Sequence, residues 1–284
     1  MSKKRLFCLS GGGLPGLQNM CGQMMAAELK GIIPDAYSGN SAGAISASIF
    51  ASGHSSNYYK DLLNSYKESD ILKWKGIPLI RLFANKFLID TSAIFKIISE
   101  HVSPDWSSLA KPLSVMSTDI VTGDGIEFNS KSNIELHKAI LASMSISGVF
   151  PYVEYNNKLY SDGGTWNNLG LPSNWTEYDE VWLWIGSGKH VIDEKKDNIA
   201  YRLIRNMTLY ARGQIYSDLL ALGIKDTQLD TKYWESAIIN RDGKDIKINV
   251  IWPDLDDNGI LKFVPGQINK MCDATTLILT DMGI

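Results

Sequence analysis

Apolar residues along the chain form short continuous runs that alternate with segments of helical spacing. Residues 5–9 form a run of strand length, and residues 17–30 follow with the spacing of a helix. A second run, 32–38, precedes an Ala- and Ile-rich segment, 42–51, that is also typical of a helix. Strands that alternate with helices indicate an α/β fold with parallel strands.

The rest of the chain continues this pattern and adds hairpins. The predicted hairpins are 113–119 with 126–128, and 152–160 around the turn Asn156-Asn157. Further helices are predicted at 57–69, 134–143 and 199–223, and further strands at 181–185 and 247–252.

Length and composition favour one domain with a large core. The chain has 284 residues, of which 44% are hydrophobic. We expect a single domain over residues 1–284, built as a three-layer α/β/α sandwich with a mainly parallel central sheet. Its core spans about 5–190, and residues 191–284 form a C-terminal elaboration.

Charge and cysteine content narrow the class of protein. The net charge of -3 offers no field that would attract nucleic acid, so no nucleic-acid partner is expected. Cys8, Cys21 and Cys272 lack zinc-site spacing and are too few for a disulfide framework, which suits a reducing compartment. With neither a signal peptide nor a run of about 20 apolar residues, a cytoplasmic protein is expected, although leaderless secretion stays open.

A candidate nucleophile lies between the second predicted strand and its helix. Residues 39–43 read Gly-Asn-Ser-Ala-Gly, a G-x-S-x-G sequence centred on Ser41. Small neighbours allow a sharp strand-to-helix turn that exposes the serine hydroxyl. An ordinary Gly/Ser turn explains the pentapeptide equally well.

A glycine run follows the first strand. Residues 10–16 read Ser-Gly-Gly-Gly-Leu-Pro-Gly, which allows backbone N–H groups to converge on an anion at the start of a helix. Gly11, Gly13 and Gly16 also meet the dinucleotide spacing, but Glu28 lies within the helical segment rather than at a second strand's end. An oxyanion or a phosphate therefore fits the run better than a dinucleotide.

A candidate general base follows the second hairpin. Asp162, Gly163 and Gly164 come directly after residues 152–160, where two glycines let another loop approach the carboxylate closely. Such an aspartate can accept the proton of Ser41 directly. A D-G turn is the simpler alternative.

In order and spacing, these three motifs resemble the patatin-like lipid acyl hydrolases, from about residue 5 to 171. The resemblance implies a dyad of Ser41 and Asp162, an oxyanion hole in the glycine run, and activity on acyl esters of phospholipids or galactolipids, without a metal or other cofactor. The oxyanion donors are expected among Gly11, Gly12, Gly13 and Ala42. The elbow and loop glycines are Gly16, Gly39, Gly43, Gly163 and Gly164.

Two residues depart from the family pattern and keep alternatives open. Ser10 stands where the family usually has Asp, and Pro15 stands where it usually has a basic residue. A non-catalytic lipid- or anion-binding protein on the same fold is therefore one alternative. A Ser41, Asp162, His190 triad is another, although few strands precede Ser41 for an α/β-hydrolase. Acyl transfer to an acceptor other than water is a third.

The segment 71–98 is rich in apolar residues interleaved with lysine and arginine, including Trp74 and Phe83. It suits either a buried cap or a lid that contacts lipid head groups. Together with the resemblance, it predicts an acyl-lipid substrate and peripheral membrane contact, and leaves open an activating partner.

Overall fold

The computed structural model describes residues 3–74, 88–188, 199–225, 229–253 and 262–284. The strands are β1 (Arg5–Leu9), β2 (Ala36–Asn40), β3 (Lys73–Trp74), β4 (Ile89–Asp90), β5 (Leu113–Asp119), β6 (Gly125–Phe128), β7 (Val153–Tyr155), β8 (Lys158–Asp162), β9 (Glu180–Trp184), β10 (Trp234–Arg241) and β11 (Lys244–Ile251). The helices are α1 (Gly13–Leu29), α2 (Ala42–Ala51), α3 (Ser56–Ser65), α4 (Glu68–Ile71), α5 (Ser92–His101), α6 (Leu136–Met144), α7 (Ile199–Ala221), α8 (Leu229–Lys232) and α9 (Gln267–Asp281).

A central sheet organises the described residues. Nine of their strands form it in the order β10-β11-β9-β1-β2-β5-β8-β7, with β6 also paired to β5. Neighbours from β11 to β5 are parallel, whereas β10, β6, β8 and β7 pair antiparallel. The predicted α/β fold with a parallel centre is confirmed, and the carboxyl ends of β1 and β2 lie side by side.

Successive side chains of the central strands point to opposite faces of the sheet and contribute to two hydrophobic cores. Phe7 and Leu9 of β1 face a core with α1, α2, α6 and α9, whereas Leu6 and Cys8 face a second core with α7. On β9, Trp182 and Trp184 join the first core, while Val181, Leu183 and the following Ile185 join the second. Because side chains alternate between the two faces of the sheet, helices pack on both faces, and the domain has three layers.

The starts of α1 and β2 differ from the predicted ones, and the helix predicted at 57–69 is divided into α3 and α4. Helix α1 begins at Gly13 rather than at residue 17, because Gly12 to Gly16 form its first turn through a Gly16 N–H to Gly12 oxygen bond of 3.0 Å. The second strand begins at Ala36 rather than at residue 32. The Ile32 N–H instead donates to the Ala27 oxygen at 2.9 Å and so belongs to the end of α1.

The C-terminal part is built into the same sheet and layers. Strand β11 pairs with β9 in parallel, and α9 packs against α1. Among the described helices, none combines the length and the apolar character that crossing a bilayer requires. The segment 71–98, which suits either a buried cap or a lid, falls partly on residues 75–87, including Phe83. These residues lie outside the described part of the chain, as does His190.

Two helical glycines provide a matched test of this packing. A Cβ atom on Gly22 of α1 would lie 2.5 Å from the Ile268 oxygen of α9, whereas one on Gly213 of α7 would meet nothing within 4 Å. We predict that Gly22→Ala lowers the free energy of unfolding by about 1–3 kcal/mol through overpacking. Gly213→Ala should raise it by up to about 1 kcal/mol through helix propensity. Thermal unfolding by circular dichroism measures both, and equal effects would contradict the contact.

Candidate active site

Ser41 occupies a tight turn between β2 and α2. Its φ of 54° lies in the left-handed region, which is uncommon for a residue other than glycine and is found at functional turns. A Cβ atom on Gly39 would lie 2.5 Å from the Gly43 oxygen, and one on Gly43 would overlap the Leu9 oxygen of β1. Gly39 is therefore required where β2 lies against the first turn of α2, and Gly43 is required where the end of β1 lies against that turn.

Asp162 ends β8 beside this turn. Its N–H donates to the Ser145 oxygen at 3.0 Å, and its backbone oxygen accepts from the Thr118 hydroxyl at 3.0 Å. Its Oδ1 accepts the N–H of Gly164 at 2.8 Å. Its Oδ2 is buried and has no hydrogen-bond partner within the described residues. A buried oxygen of this kind has unused capacity to accept a proton.

The environment of Asp162 favours proton transfer near neutral pH. Burial raises the pKa of this carboxyl to about 6, and the Ser41 hydroxyl and the Gly164 N–H act in the opposite direction. Among the described residues, Oδ1 of Asp162 accepts from the Gly164 N–H and Oδ2 has no partner, so the Ser41 hydroxyl lies near this carboxylate without a hydrogen bond of good geometry. Catalytic hydrogen bonds are often long before substrate binds. The pKa value suits a general base.

The glycine run lies beside Ser41 at the start of α1. The Gly11 N–H donates to the Asn168 side-chain oxygen at 3.3 Å. The N–H groups of Gly12, Gly13 and Ala42 make no hydrogen bond within the described residues. Gly13 has a φ of 63°, a conformation that favours glycine. Of the predicted oxyanion donors, Gly12, Gly13 and Ala42 thus have uncommitted N–H groups, and Gly11 does not.

The two departures from the family pattern have structural roles. The Ser10 hydroxyl accepts the Gly186 N–H at 2.8 Å and donates to the Gly11 oxygen at 3.1 Å. It thereby ties the glycine run to the end of β9. Pro15 is buried in the first turn of α1, where the lack of an N–H is tolerated.

Two cavities meet at the nucleophile. A cleft of about 440 Å³ contains Ser41, Asp162 and Gly11 to Gly13, and α7 closes it with side chains that include Asn206 and Tyr210. A narrower, almost entirely apolar cavity of about 90 Å³ begins at Ser41 and Ala42. Gly13, Ser41 and Ile146 line both spaces. No motif in the sequence indicates such a role for α7.

The histidines in the described residues act elsewhere. His54 contacts the His101 backbone oxygen at 3.0 Å, and His101 bonds to the Tyr58 hydroxyl at 2.6 Å. His137 contacts the Val102 oxygen at 2.7 Å. The triad alternative depends on His190, which is outside the described residues.

The family model described as patatin-like phospholipase matches residues 7–175, which include the elbow, the glycine run and Asp162. The chain belongs to the patatin-like phospholipase family. The description of this family names a phospholipase.

Curated relatives share a part of this patatin-like chain. Uncharacterized NTE family proteins of Mycobacterium tuberculosis and Mycobacterium bovis are each 30% identical over 172 residues. The match covers 58% of this chain but only 27% of either relative, so the chain spans about a quarter of their length.

Two solved structures show the same fold at low sequence identity. VipD from Legionella pneumophila aligns with a TM-score of 0.54 and 16% identity, covering 99% of this chain and 67% of VipD. Human GIVD cytosolic phospholipase A2 aligns with a TM-score of 0.53 and 8% identity, covering 99% of this chain and 61% of that protein.

The raised pKa of Asp162 makes a prediction about stability. Its pKa rises from 3.8 to about 6 on folding, so the contribution of this one group to stability is highest below pH 4 and is lost as pH rises through about 6. Above that pH the buried charge costs on the order of 3 kcal/mol. We predict that Asp162→Asn is more stable than the native protein at pH 8 and that this difference vanishes near pH 4, as measured by urea unfolding.

Asp119 provides the matched control, because it is also a buried aspartate at a strand end. Its carboxylate pairs with Lys158 at 3.0 Å, which lowers the pKa of Asp119. Asp119→Asn should therefore destabilise the protein at pH 8. If both variants lose stability there, burial does not dominate the pKa of Asp162.

Proposed function

We propose that this protein is a lipid acyl hydrolase of the phospholipase A type, with Ser41 as nucleophile and Asp162 as general base. The observation that carries the proposal is the buried, unpartnered Oδ2 of Asp162 in the same cleft as Ser41 and the uncommitted N–H groups of Gly12 and Gly13. A nucleophile, a base and oxyanion donors are the parts that acyl transfer requires.

The first half of the reaction forms an acyl-enzyme. Asp162 takes the hydroxyl proton of Ser41 as the serine oxygen attacks the ester carbonyl. The resulting oxyanion accepts hydrogen bonds from the N–H groups of Gly12 and Gly13, with Ala42 as a third donor. The intermediate then collapses, the bond to the leaving alcohol breaks, and Asp162 returns the proton to that alcohol.

The second half restores the enzyme. Asp162 removes a proton from water, the resulting oxygen attacks the acyl-enzyme carbonyl, and the same donors hold the oxyanion. Collapse expels the Ser41 oxygen, which regains the proton from Asp162, and the fatty acid leaves.

The apolar cavity fits the acyl chain. Ser41, Ile45, Ser48 and Ile49 lie on one face of α2 and all line this cavity. At 1.5 Å per residue, the cavity follows the helix for about 12 Å from the nucleophile. An acyl chain would extend along α2, while the leaving group would occupy the larger cleft under α7.

Exposed aromatic residues at the cleft support contact with a membrane surface. Tyr210 lines the cleft and is 60% exposed, and Trp166, which follows the Asp162 loop, is 53% exposed. The Gln214 side chain of α7 donates to the Trp166 oxygen at 3.2 Å, so the two aromatic residues lie on adjoining elements. Such side chains favour a lipid–water interface.

The proposal predicts that Ser41→Ala abolishes hydrolysis of mixed phospholipid vesicles. We expect a loss of at least about a hundredfold, because the acyl-enzyme cannot form. Mass spectrometry of the released fatty acid and lysolipid measures the reaction, and Ser52→Ala at the other end of α2 is the control. Undiminished turnover by Ser41→Ala would overturn the mechanism. If the native protein binds lipid but neither hydrolyses it nor reacts with a fluorophosphonate, the non-catalytic alternative is favoured.

The acyl cavity predicts a change in chain-length preference. Ile49→Phe should reduce the volume about 12 Å from Ser41 and lower kcat/KM for long-chain esters several-fold, with short-chain esters unaffected. Ile49→Ala should shift the preference towards longer chains. A series of p-nitrophenyl esters measures both variants. Parallel changes at all chain lengths would show that acyl chains do not occupy this cavity.

A further inference from the structure

One buried amide lies at the junction of four parts of the active site. Asn168 is 2% exposed and follows the Asp162 loop by a few residues. It lines the cleft together with Ser41 and Asp162. None of the sequence motifs includes it.

The side-chain oxygen of Asn168 holds the ends of two strands. It accepts the Gly11 N–H at 3.3 Å and the Asn40 side-chain N–H at 3.1 Å. Gly11 directly precedes the donor glycines, and Asn40 directly precedes Ser41. The side-chain oxygen of Asn168 therefore joins the glycine run to the residue before the nucleophile through two hydrogen bonds.

The donor groups of Asn168 hold helix α7. Its side-chain N–H donates to the Ala211 oxygen at 3.0 Å, and its backbone N–H donates to the Asp218 carboxylate at 3.0 Å. Gln214 in turn donates to the same carboxylate at 2.8 Å. The helix that closes the cleft is thus attached to the residue that holds the glycine run.

A run of three glycines needs such an external anchor. Glycine has no side chain to restrict its backbone, so the peptide planes of residues 11–13 can rotate unless neighbouring groups hold them. An oxyanion donor is effective only when it points at the position where the charge develops. The Gly11 to Asn168 bond fixes the peptide group directly before that of Gly12. A Cβ atom on Gly11 would lie 2.8 Å from the Asn168 oxygen, which accounts for glycine at this position.

We infer that Asn168 is a positioning residue that directs the Gly12 and Gly13 N–H groups towards the oxyanion and holds α7 over the cleft. This role rests on the proposed function. It deepens that function by naming the side chain through which α7 contacts the oxyanion loop.

The test compares three variants with the native protein on a soluble short-chain ester. Asn168→Leu keeps the approximate volume but loses every side-chain hydrogen bond, and should lower kcat by about 10²-fold with little change in KM. Asn168→Asp keeps the acceptor for Gly11 and should retain at least tenfold more activity than the Leu variant. Asn167→Leu is the neighbouring control and should retain full kcat, because within the described residues the Asn167 side chain donates only to the Leu171 oxygen, at 3.2 Å.

Several readouts separate positioning from folding. All rates are measured where circular dichroism shows the variant to be folded, and fluorophosphonate labelling of Ser41 should fall in parallel with kcat. If Asn168→Leu does not fold, Asn168→Ser replaces it, since its side chain is too short to reach Gly11.

Two results would overturn the role of Asn168. One is native kcat in the folded Leu or Ser variant, and the other is equal loss in the Asp and Leu variants. Each is interpreted only if Ser41→Ala is inactive, because an active Ser41→Ala variant contradicts the proposed function itself.

Discussion

The site depends on the close approach of backbone to backbone at the carboxyl edge of the sheet. The end of β1 lies against the first turn of α2 with no space for a side chain on Gly43, and a Cβ atom on Gly163 would lie 2.7 Å from the Met116 backbone oxygen of β5. Only small residues permit this approach. The approach places the end of β1, the elbow and the Asp162 loop around one cleft, so that groups far apart in the chain can act together.

The second constraint is electrostatic. Asp162 is buried with one oxygen unpartnered among the described residues, and this arrangement raises its pKa to about 6. A carboxylate in such a place costs stability at neutral pH, whereas Asp119 at a neighbouring strand end is paired with Lys158. The contrast between the two aspartates is typical of a site in which reactivity is maintained at the expense of stability.

The sequence predicted those parts of the site that depend on local chemistry. The elbow around Ser41, the glycine run and Asp162 were recognisable because tight turns require glycine at particular positions, and the structure brings all three to one cleft. Strand β5 and helix α2 have the predicted bounds, since their apolar patterns are continuous. The apolar spacing predicts the start of α1 too late in the chain, because glycine and proline in a first helical turn resemble a loop. The role of α7 and the hydrogen bonds of Asn168 depend on contacts across the fold, such as that between Asn168 and Ala211. The Asn167-Asn168 pair beside Asp162 was the only local signal, and asparagine pairs are also common in turns.

Trapping the acyl-enzyme tests the central claim most directly. The protein would be mixed with an activated acyl ester, quenched in acid within milliseconds to seconds, and digested for peptide mapping by mass spectrometry. The account predicts one acyl group per protein on the peptide that contains Ser41, accumulating more slowly in Asp162→Asn. An acyl group found on a residue other than Ser41 would contradict this mechanism. So would turnover without any acyl-enzyme, at a rate that does not fall when Ser41 is replaced.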